Sequence, residues 1–406
     1  MKPETGHLIT KEQALELLFQ GWMPEMETET IPLDQAAGRV LAEDRYAQYD
    51  IPVVRASGMD GVAIPYALVK DGLPDTAAWR EGREFVRADT GDDFDDRYDT
   101  VIPIERVRLL PEGGLRFDEE LELQPGMNVR PRGSQLQQGT LLARAGTVLN
   151  ALDLAALGMG GYGTVAVRRR PRVAFVPTGS ELVPVGSPLG RGQNFDTNSL
   201  MAAQLLREMG AEPVISPILR DELPLLRQKL EELLKEADVV ILNAGTSKGG
   251  EDYCAALLEE NGALFHGVAA VPGRPMSMAI VRGKPVLNLS GPAQAAFYGL
   301  DWAVRPILCR FLGIPVPQRE RVEVTLNAPL RTPPSMSMLN RLVVQETEAG
   351  EYLATPLSGR GPQAVSAAEV LTANALYISV PGEPAKEAGD TVSVELLRGR
   401  ETLARS

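Results

Sequence analysis

From residue 171 onward the chain alternates short apolar runs with helical segments, and no other feature restricts its fold as much. Val173-Ala174-Phe175-Val176 is an unbroken apolar run ending in Thr178-Gly179, as a strand covered on both faces requires. Residues 199–209 carry helical spacing and stop at Gly210; residues 213–219 read as a strand and 224–235 as a helix. Asp238 then opens a second apolar strand, Val239-Val240-Ile241-Leu242. Strands alternating with helices predict a parallel, helix-covered sheet. Such sheets bind ligands at the carboxyl ends of their strands. Those ends here read Thr178-Gly179-Ser180-Glu181, Leu219-Arg220-Asp221 and the segment 243–252. All three are polar, and two carry glycine.

The rest of the chain has a different texture. Residues 11–20 predict a first helix, with Thr10 as N-cap and Gln13 three places on. From 50 to 138, β-type runs such as Val101-Ile102-Pro103-Ile104 alternate with Gly, Pro and Asp turns. Residues 152–157 predict a short helix closed by Gly158, Gly160 and Gly161, and Arg168-Arg169-Arg170-Pro171 marks a boundary. After Pro315-Val316-Pro317, β-runs return at 322–326, 341–344 and 375–380. The expected division is an N-terminal linker and dimerisation domain (1–49 and 139–170), a β-rich insertion (50–138), an α/β domain (171–314) and a C-terminal β domain (315–406).

Composition excludes several functions. With 41 Lys+Arg against 54 Asp+Glu the net charge is −13, which argues against bulk phosphate neutralisation on DNA or RNA. Aromatic residues at 5% leave little for base stacking. Two cysteines and two histidines are too few for a disulfide framework or a thiolate zinc site. The N-terminus lacks the basic-then-apolar run of a signal peptide, and no apolar stretch reaches the roughly 18 residues of a membrane span. A cytoplasmic location is expected.

Three segments carry chemistry. In 243–252, Gly245, Gly249 and Gly250 permit close backbone approach, Thr246 and Ser247 supply hydroxyls, and Lys248 a charge; a helix from 253 to 260 follows. Backbone N–H groups at that helix start can cradle an anion, although a ligand-free Gly turn fits the same composition. Neither the P-loop nor the dinucleotide fingerprint is present. The Pro272-Gly273-Arg274-Pro275 turn either presents a guanidinium to an oxyanion or simply joins two strands. Around Ser57-Gly58-Met59-Asp60-Gly61-Val62-Ala63, with Thr90-Gly91 downstream, Asp60 is equally suited to a functional role and to an Asx turn.

Together these segments resemble the molybdopterin molybdenumtransferases, the MoeA and gephyrin E-domain family. Thr178-Gly179-Ser180-Glu181-Leu182, the 245–252 loop and Pro272-Gly273-Arg274-Pro275 look like its molybdopterin-binding domain, and 57–63 is similar to its S-A-M-D-G-Y-A. Thr90-Gly91 with 99–105, Arg130-Pro131-Arg132-Gly133 and Asp196-Thr197-Asn198 match further motifs in order, from near residue 10 to near 395. The resemblance implies an α/β multi-domain fold: a three-layer αβα molybdopterin-binding domain, a β-rich insertion and a C-terminal β-barrel-like domain. It also implies molybdate insertion into adenylylated molybdopterin with release of AMP, assisted by Mg²⁺. Asp60, Thr90, Glu181, Asp221 and Asp252 fall on the family's catalytic positions, with Asp221 and Asp252 as metal ligands. Thr178, Gly179, Ser180, Gly245, Thr246, Ser247, Gly249, Gly250, Arg274 and Arg341 fall on substrate-binding ones. A homodimer is implied, with molybdopterin adenylyltransferase and apo-molybdoenzymes as partners.

Several positions differ from the family pattern. Gly133 is followed by Ser134-Gln135 where the family has Glu-Asp; Val271 and Arg274 stand where it has lysines. Leu289-Ser290-Gly291-Pro292 replaces L-P-G-N, and Ala368-Glu369 falls on a serine pair. Two functions are therefore expected: an insertase with an altered anion site, or a weakened paralogue that binds molybdopterin as a scaffold.

Overall fold

A computed structural model describes residues 8–118, 121–244, 252–357 and 372–405. The chain forms two compact units, Thr28–Arg168 in one and Met1–Glu27 with Arg169–Ser406 in the other. Among the described residues no helix is long and apolar enough to cross a membrane.

The Thr28–Arg168 unit is built from small antiparallel sheets. Thr28–Pro32 pairs with Thr164–Arg168, and Gly61–Ile64 lies between Val86–Ala88 and Thr100–Pro103. A Cβ on Gly61 would fall 2.0 Å from the Ile102 carbonyl oxygen, so only glycine lets these strands meet. The helix Ala151–Met159 starts at Asn150, whose side chain accepts from the Leu152 and Asp153 N–H groups at 2.7 and 3.1 Å. Leu41, Leu149, Leu157, Val165 and Val167 form one core of this unit. Val62, Ile64, Phe85, Ile102 and Leu115 form another.

In the second unit a six-stranded sheet runs in the order Glu212–Ile215, Arg172–Thr178, Val239–Ala244, Lys284–Ser290, Ser277–Val281, Phe265–His266. The first four are parallel. Ser277–Val281 runs antiparallel to both its neighbours, so the sheet is mixed where the sequence pattern predicts a parallel one. Arg282, at φ 51°, and Gly283 make the tight turn that reverses the chain. The strand expected over 213–219 ends at Ile215, and after Ser216, whose N–H still donates to the Phe175 carbonyl, the chain leaves the ladder at Pro217. Leu219 rejoins the sheet through a single bridge to Thr178.

Alternation along the strands sends side chains into two cores. Phe175, Ile241, Leu287 and Leu289 pack with Leu18, Leu206, Tyr298 and Leu308 on one face, under the helices Lys11–Gly21, Asn198–Glu208, Ala293–Gly299 and Arg305–Leu312. Val176, Val240, Leu242 and Val286 pack with Leu226, Leu230 and Leu257 on the other, under Leu223–Leu233 and Tyr253–Glu260. The result is a three-layer αβα arrangement. Each fully buried Leu here is worth about 1.5–3 kcal/mol of transfer energy.

The first helix begins at its expected cap: Thr10 Oγ1 accepts from Gln13 N–H, and the Gln13 side chain returns to Thr10 N–H. Beyond residue 320, Ser337–Glu346, Tyr352–Pro356, Arg321–Leu326, Thr391–Leu396 and Ala375–Ile378 pair in sequence, and the last pairs back with the first. This closed five-strand barrel is filled by Val322, Val324, Leu342, Val344 and Val394.

Candidate functional site

At the carboxyl end of the α/β sheet, Thr178, Ala244 and Ser290 stand in register across three parallel strands. Asn288 lies two residues before Ser290, on the same face, directly opposite Ser277. Four buried oxygens on this face, Thr178 Oγ1, Ser277 Oγ, Asn288 Oδ1 and Ser290 Oγ, have no hydrogen-bond partner of good geometry among the described residues. An unpaired buried polar group costs about 1–3 kcal/mol, so such a cluster suits added water or ligand.

Asp252 opens the helix Tyr253–Glu260 above them. Its Oδ1 accepts from the Ala255 N–H at 2.9 Å, and its Oδ2 accepts from Asn288 Nδ2 at 3.2 Å. Asp221 follows the single-bridge residue Leu219. Burial pushes its carboxyl above the usual range; the Glu181 and Asp252 carboxylates add to that rise, and Thr178 opposes it. The Thr178 hydroxyl approaches Asp221 without meeting hydrogen-bond geometry with any described residue. Cys254 lies beside the same groups, and its thiol is pushed up chiefly by burial and next by the Asp252 charge. It is an inert core residue.

Gly179 donates its N–H to the Leu219 carbonyl at 3.0 Å. A Cβ there would stand 3.0 Å from both Glu181 carboxylate oxygens, so glycine makes room for that acid. Gly179, Ser180, Leu182, Pro217, Leu219 and Arg220 line a cleft of about 420 Å³. Thr178, Gly179, Ser180, Glu181, Asp221 and Asp252 thus belong to one sheet end. Gly245, Thr246, Ser247, Gly249 and Gly250 lie outside the described residues, as do Ala368 and Glu369.

Arg274 sits in an exposed turn after the cis Val271–Pro272 bond and Gly273, whose φ is 109°. Its carbonyl accepts from Val268 N–H at 2.9 Å. Arg341 lies in the Ser337–Glu346 strand, opposite Leu376.

Sequence reasoning passed over two buried amides. Asn243 is 3% exposed; its Nδ2 donates to the Leu289 and Ser290 carbonyls at 3.2 and 3.0 Å. Its Oδ1 accepts from Asn198 Nδ2 at 2.8 Å, and Asn198 also donates to the Gly291 carbonyl. Asn243 therefore ties two strand ends and a helix start together. Asn288 is the other. Each is a polar residue closing an apolar run, which was the available signal.

In the Thr28–Arg168 unit, Asp60 Oδ1 accepts from the Thr90 N–H at 2.6 Å. That bond, then the Thr90 hydroxyl, holds the Asp60 carboxyl below the usual range. The Asp60 carbonyl accepts from Ile104 N–H at 2.9 Å, and the Ser57 carbonyl from Gly91 N–H at 2.9 Å. The two motifs are thereby locked into one exposed loop pair.

Residues 9–161 match the family model "MoeA N-terminal region (domain I and II)" and residues 174–310 match "Probable molybdopterin binding domain". The chain is 30% identical over 391 residues to molybdopterin molybdenumtransferase of Bacillus subtilis, covering 92% of this chain and 90% of that one. It is 31% identical over 313 residues to the Nostoc protein of the same name, covering 71% of each. Among solved structures, a molybdopterin biosynthesis MoeA protein from Pyrococcus horikoshii has a TM-score of 0.77 at 25% identity, covering 97% of this chain and 100% of that one. The layered α/β unit and the closed barrel are therefore those of a member of the molybdopterin molybdenumtransferase (MoeA) family, to which this chain belongs.

Proposed function

We propose that this protein acts in molybdenum cofactor biosynthesis, inserting molybdate into adenylylated molybdopterin with release of AMP. One observation carries the reading: half-buried Asp221 shares the carboxyl end of the sheet with Asp252, at the helix start, and Glu181, whose charges add to the rise that burial gives its carboxyl. Acids held this way are relieved by a cation, and the donors are all oxygen, as Mg²⁺ prefers. Among the described residues no three acidic, His or Cys side chains converge as a ready-made metal cluster. Mg²⁺ nevertheless uses one or two carboxylates together with substrate phosphates, so Asp221 and Asp252 fit it. These two would hold the ion, and it would supply charge neutralisation at the pyrophosphate.

The chain's own residues do the positioning. Glycine at 179 admits Glu181, Asn288 and the helix start fix Asp252, and the hydroxyls of Thr178 and Ser290 offer hydrogen bonds to the pterin. Arg274 and Arg341 receive molybdate, while Asp60 and Thr90 form a separately braced catalytic pair. A homodimer is supported by the helix Ala151–Met159, where Leu152 and Met159 are 80% and 54% exposed beside Val148, an apolar face suited to a second copy. The domain limits 1–49 with 139–170, 50–138, 171–314 and 315–406, and a cytoplasmic location with the adenylyltransferase and apo-molybdoenzymes as partners, belong to the same reading.

The test is purified protein with adenylylated molybdopterin, Mg²⁺ and molybdate. AMP release and reconstitution of an apo-molybdoenzyme are expected. Pterin binding without either product would replace this function with that of a scaffold paralogue.

A further inference from the structure

The α/β unit holds a cation that no carboxylate among the described residues pairs with. Lys11 is half-buried at the start of the first helix, its Nζ 5.2 Å from the centre of the Tyr298 ring. None of the described carboxylates forms an ion pair with it. A cation in the first turn of a helix faces the positive end of the dipole, an unfavourable placement. The adjacent Glu12 is exposed. A half-buried ammonium so placed leaves much of its charge available to an incoming anion.

The backbone places Lys11 beside the Arg274 turn. Ile9 bridges Val268 in parallel, and its carbonyl accepts from Ala269 N–H at 2.8 Å. A Cβ on Gly267 would meet Leu8 at 2.8 Å and the Arg274 carbonyl oxygen at 3.7 Å, so the segment 8–11 runs alongside this turn. Two residues further on both chains lie Lys11 and Ala270, and Ala270 is in register with Ser337. Ser337 Oγ shares a hydrogen bond of 3.1 Å with the hydroxyl of Tyr298, the ring under Lys11. Arg341 lies four residues beyond Ser337 on the same strand face. Arg274, exposed, likewise has no ion-pair partner among the described residues. Lys11 and Arg274 therefore lie on neighbouring stretches of backbone in a chain of net charge −13. Surface cations are ordinarily interspersed with acids, and none of the described acids pairs with Lys11 or Arg274.

We propose that Lys11 is a further oxyanion-binding residue, receiving a tetrahedral dianion together with Arg274. The proposal deepens the insertase reading and rests on it for the identity of the anion as molybdate.

The experiment measures molybdate binding to the full-length protein by calorimetry, and molybdate-dependent AMP release, for the unsubstituted chain and for Lys11→Met, Lys11→Gln, Lys11→Arg and Arg274→Met. Losing one charge-assisted contact should weaken molybdate binding about tenfold in Lys11→Met and Lys11→Gln, with the effect in KM rather than kcat. Lys11→Arg, which keeps the charge, should lose less affinity than either neutral variant. Melting curves accompany each variant, so that a loss through unfolding is seen directly in whichever neutral variant suffers it. Unchanged molybdate affinity in the folded neutral variants, with affinity lost in Arg274→Met, overturns the role of Lys11 and leaves the proposed function standing. A chain that binds no molybdate before any substitution overturns both.

Discussion

Asp252 carries two jobs, and two substitutions separate them. Its carboxylate caps the Tyr253–Glu260 helix through Ala255 and accepts from Asn288; in the proposed reaction it also holds a cation. Asp252→Ala removes the cap, worth about 1 kcal/mol, and a hydrogen bond to a charged group, worth about 1.5 kcal/mol. The sum is about 2–3 kcal/mol. For a unit of this size that lowers Tm by roughly 5–10 °C. Asp252→Asn keeps the cap, since Asn serves as well as Asp there. Its amide can also donate to Asn288 Oδ1, which is buried and has no partner among the described residues, once the Asn288 amide turns over. The expected cost is under about 1 kcal/mol. Thermal melts and AMP release are then read side by side. Both variants should lose AMP release, while only the alanine variant loses stability. If Asp252→Asn releases AMP at the original rate, the carboxylate is only a cap and the metal-ligand role is wrong.

Asp221 gives the opposite sign. Its carboxyl titrates higher in the folded chain than in the unfolded one, so its favourable contribution is fully present below the unfolded value and is lost as pH rises through the folded one. At pH 7 to 8 Asp221→Asn should therefore raise Tm while abolishing AMP release, and the gain should shrink toward pH 4; a lower Tm at pH 8 would contradict this account. Asn243→Ala removes three hydrogen bonds at about 1 kcal/mol each, and should lower Tm by roughly 6–12 °C. A melt unchanged within a degree or two would mean water replaces the amide. Gly61→Ala forces a Cβ to 2.0 Å from the Ile102 carbonyl and should cost the Thr28–Arg168 unit about 3 kcal/mol, read as early proteolysis of that unit; full resistance would show that the strands can part cheaply.

What could be read from sequence was local. Thr10 with Gln13, and Asp252 before an apolar helical run, announce helix starts because a cap and its partner lie three residues apart. Val173 to Val176 and Val239 to Leu242 announce buried strands because nothing polar interrupts them. Three features depended on register or distance and stayed hidden. The reversal at Arg282-Gly283 places a non-glycine residue at positive φ, which no common turn pair signals. Asn198 and Asn243 meet only because a helix start is folded over a strand end 45 positions away. The four buried oxygens of Thr178, Ser277, Asn288 and Ser290, unpaired among the described residues, form one set only when four strands are laid side by side. The site's acids were legible as residue types at strand ends; their mutual field was not.

The outer strand Glu212–Ile215 bears on how the protein survives at high concentration. It is an open margin of the six-stranded sheet, and an open margin can recruit a strand from another molecule. Glu212 N–H donates inward to the Pro171 carbonyl and Ser216 N–H to that of Phe175, so alternation turns the nitrogen of Pro213 outward. That nitrogen has no hydrogen to offer. The opposite margin, Phe265–His266, is only two residues long. The sheet thus ends in one margin too short to be copied and one with a missing donor at its centre. Crowded solutions of the folded chain should accordingly resist edge-to-edge polymerisation even though the strands behind those margins are almost wholly apolar.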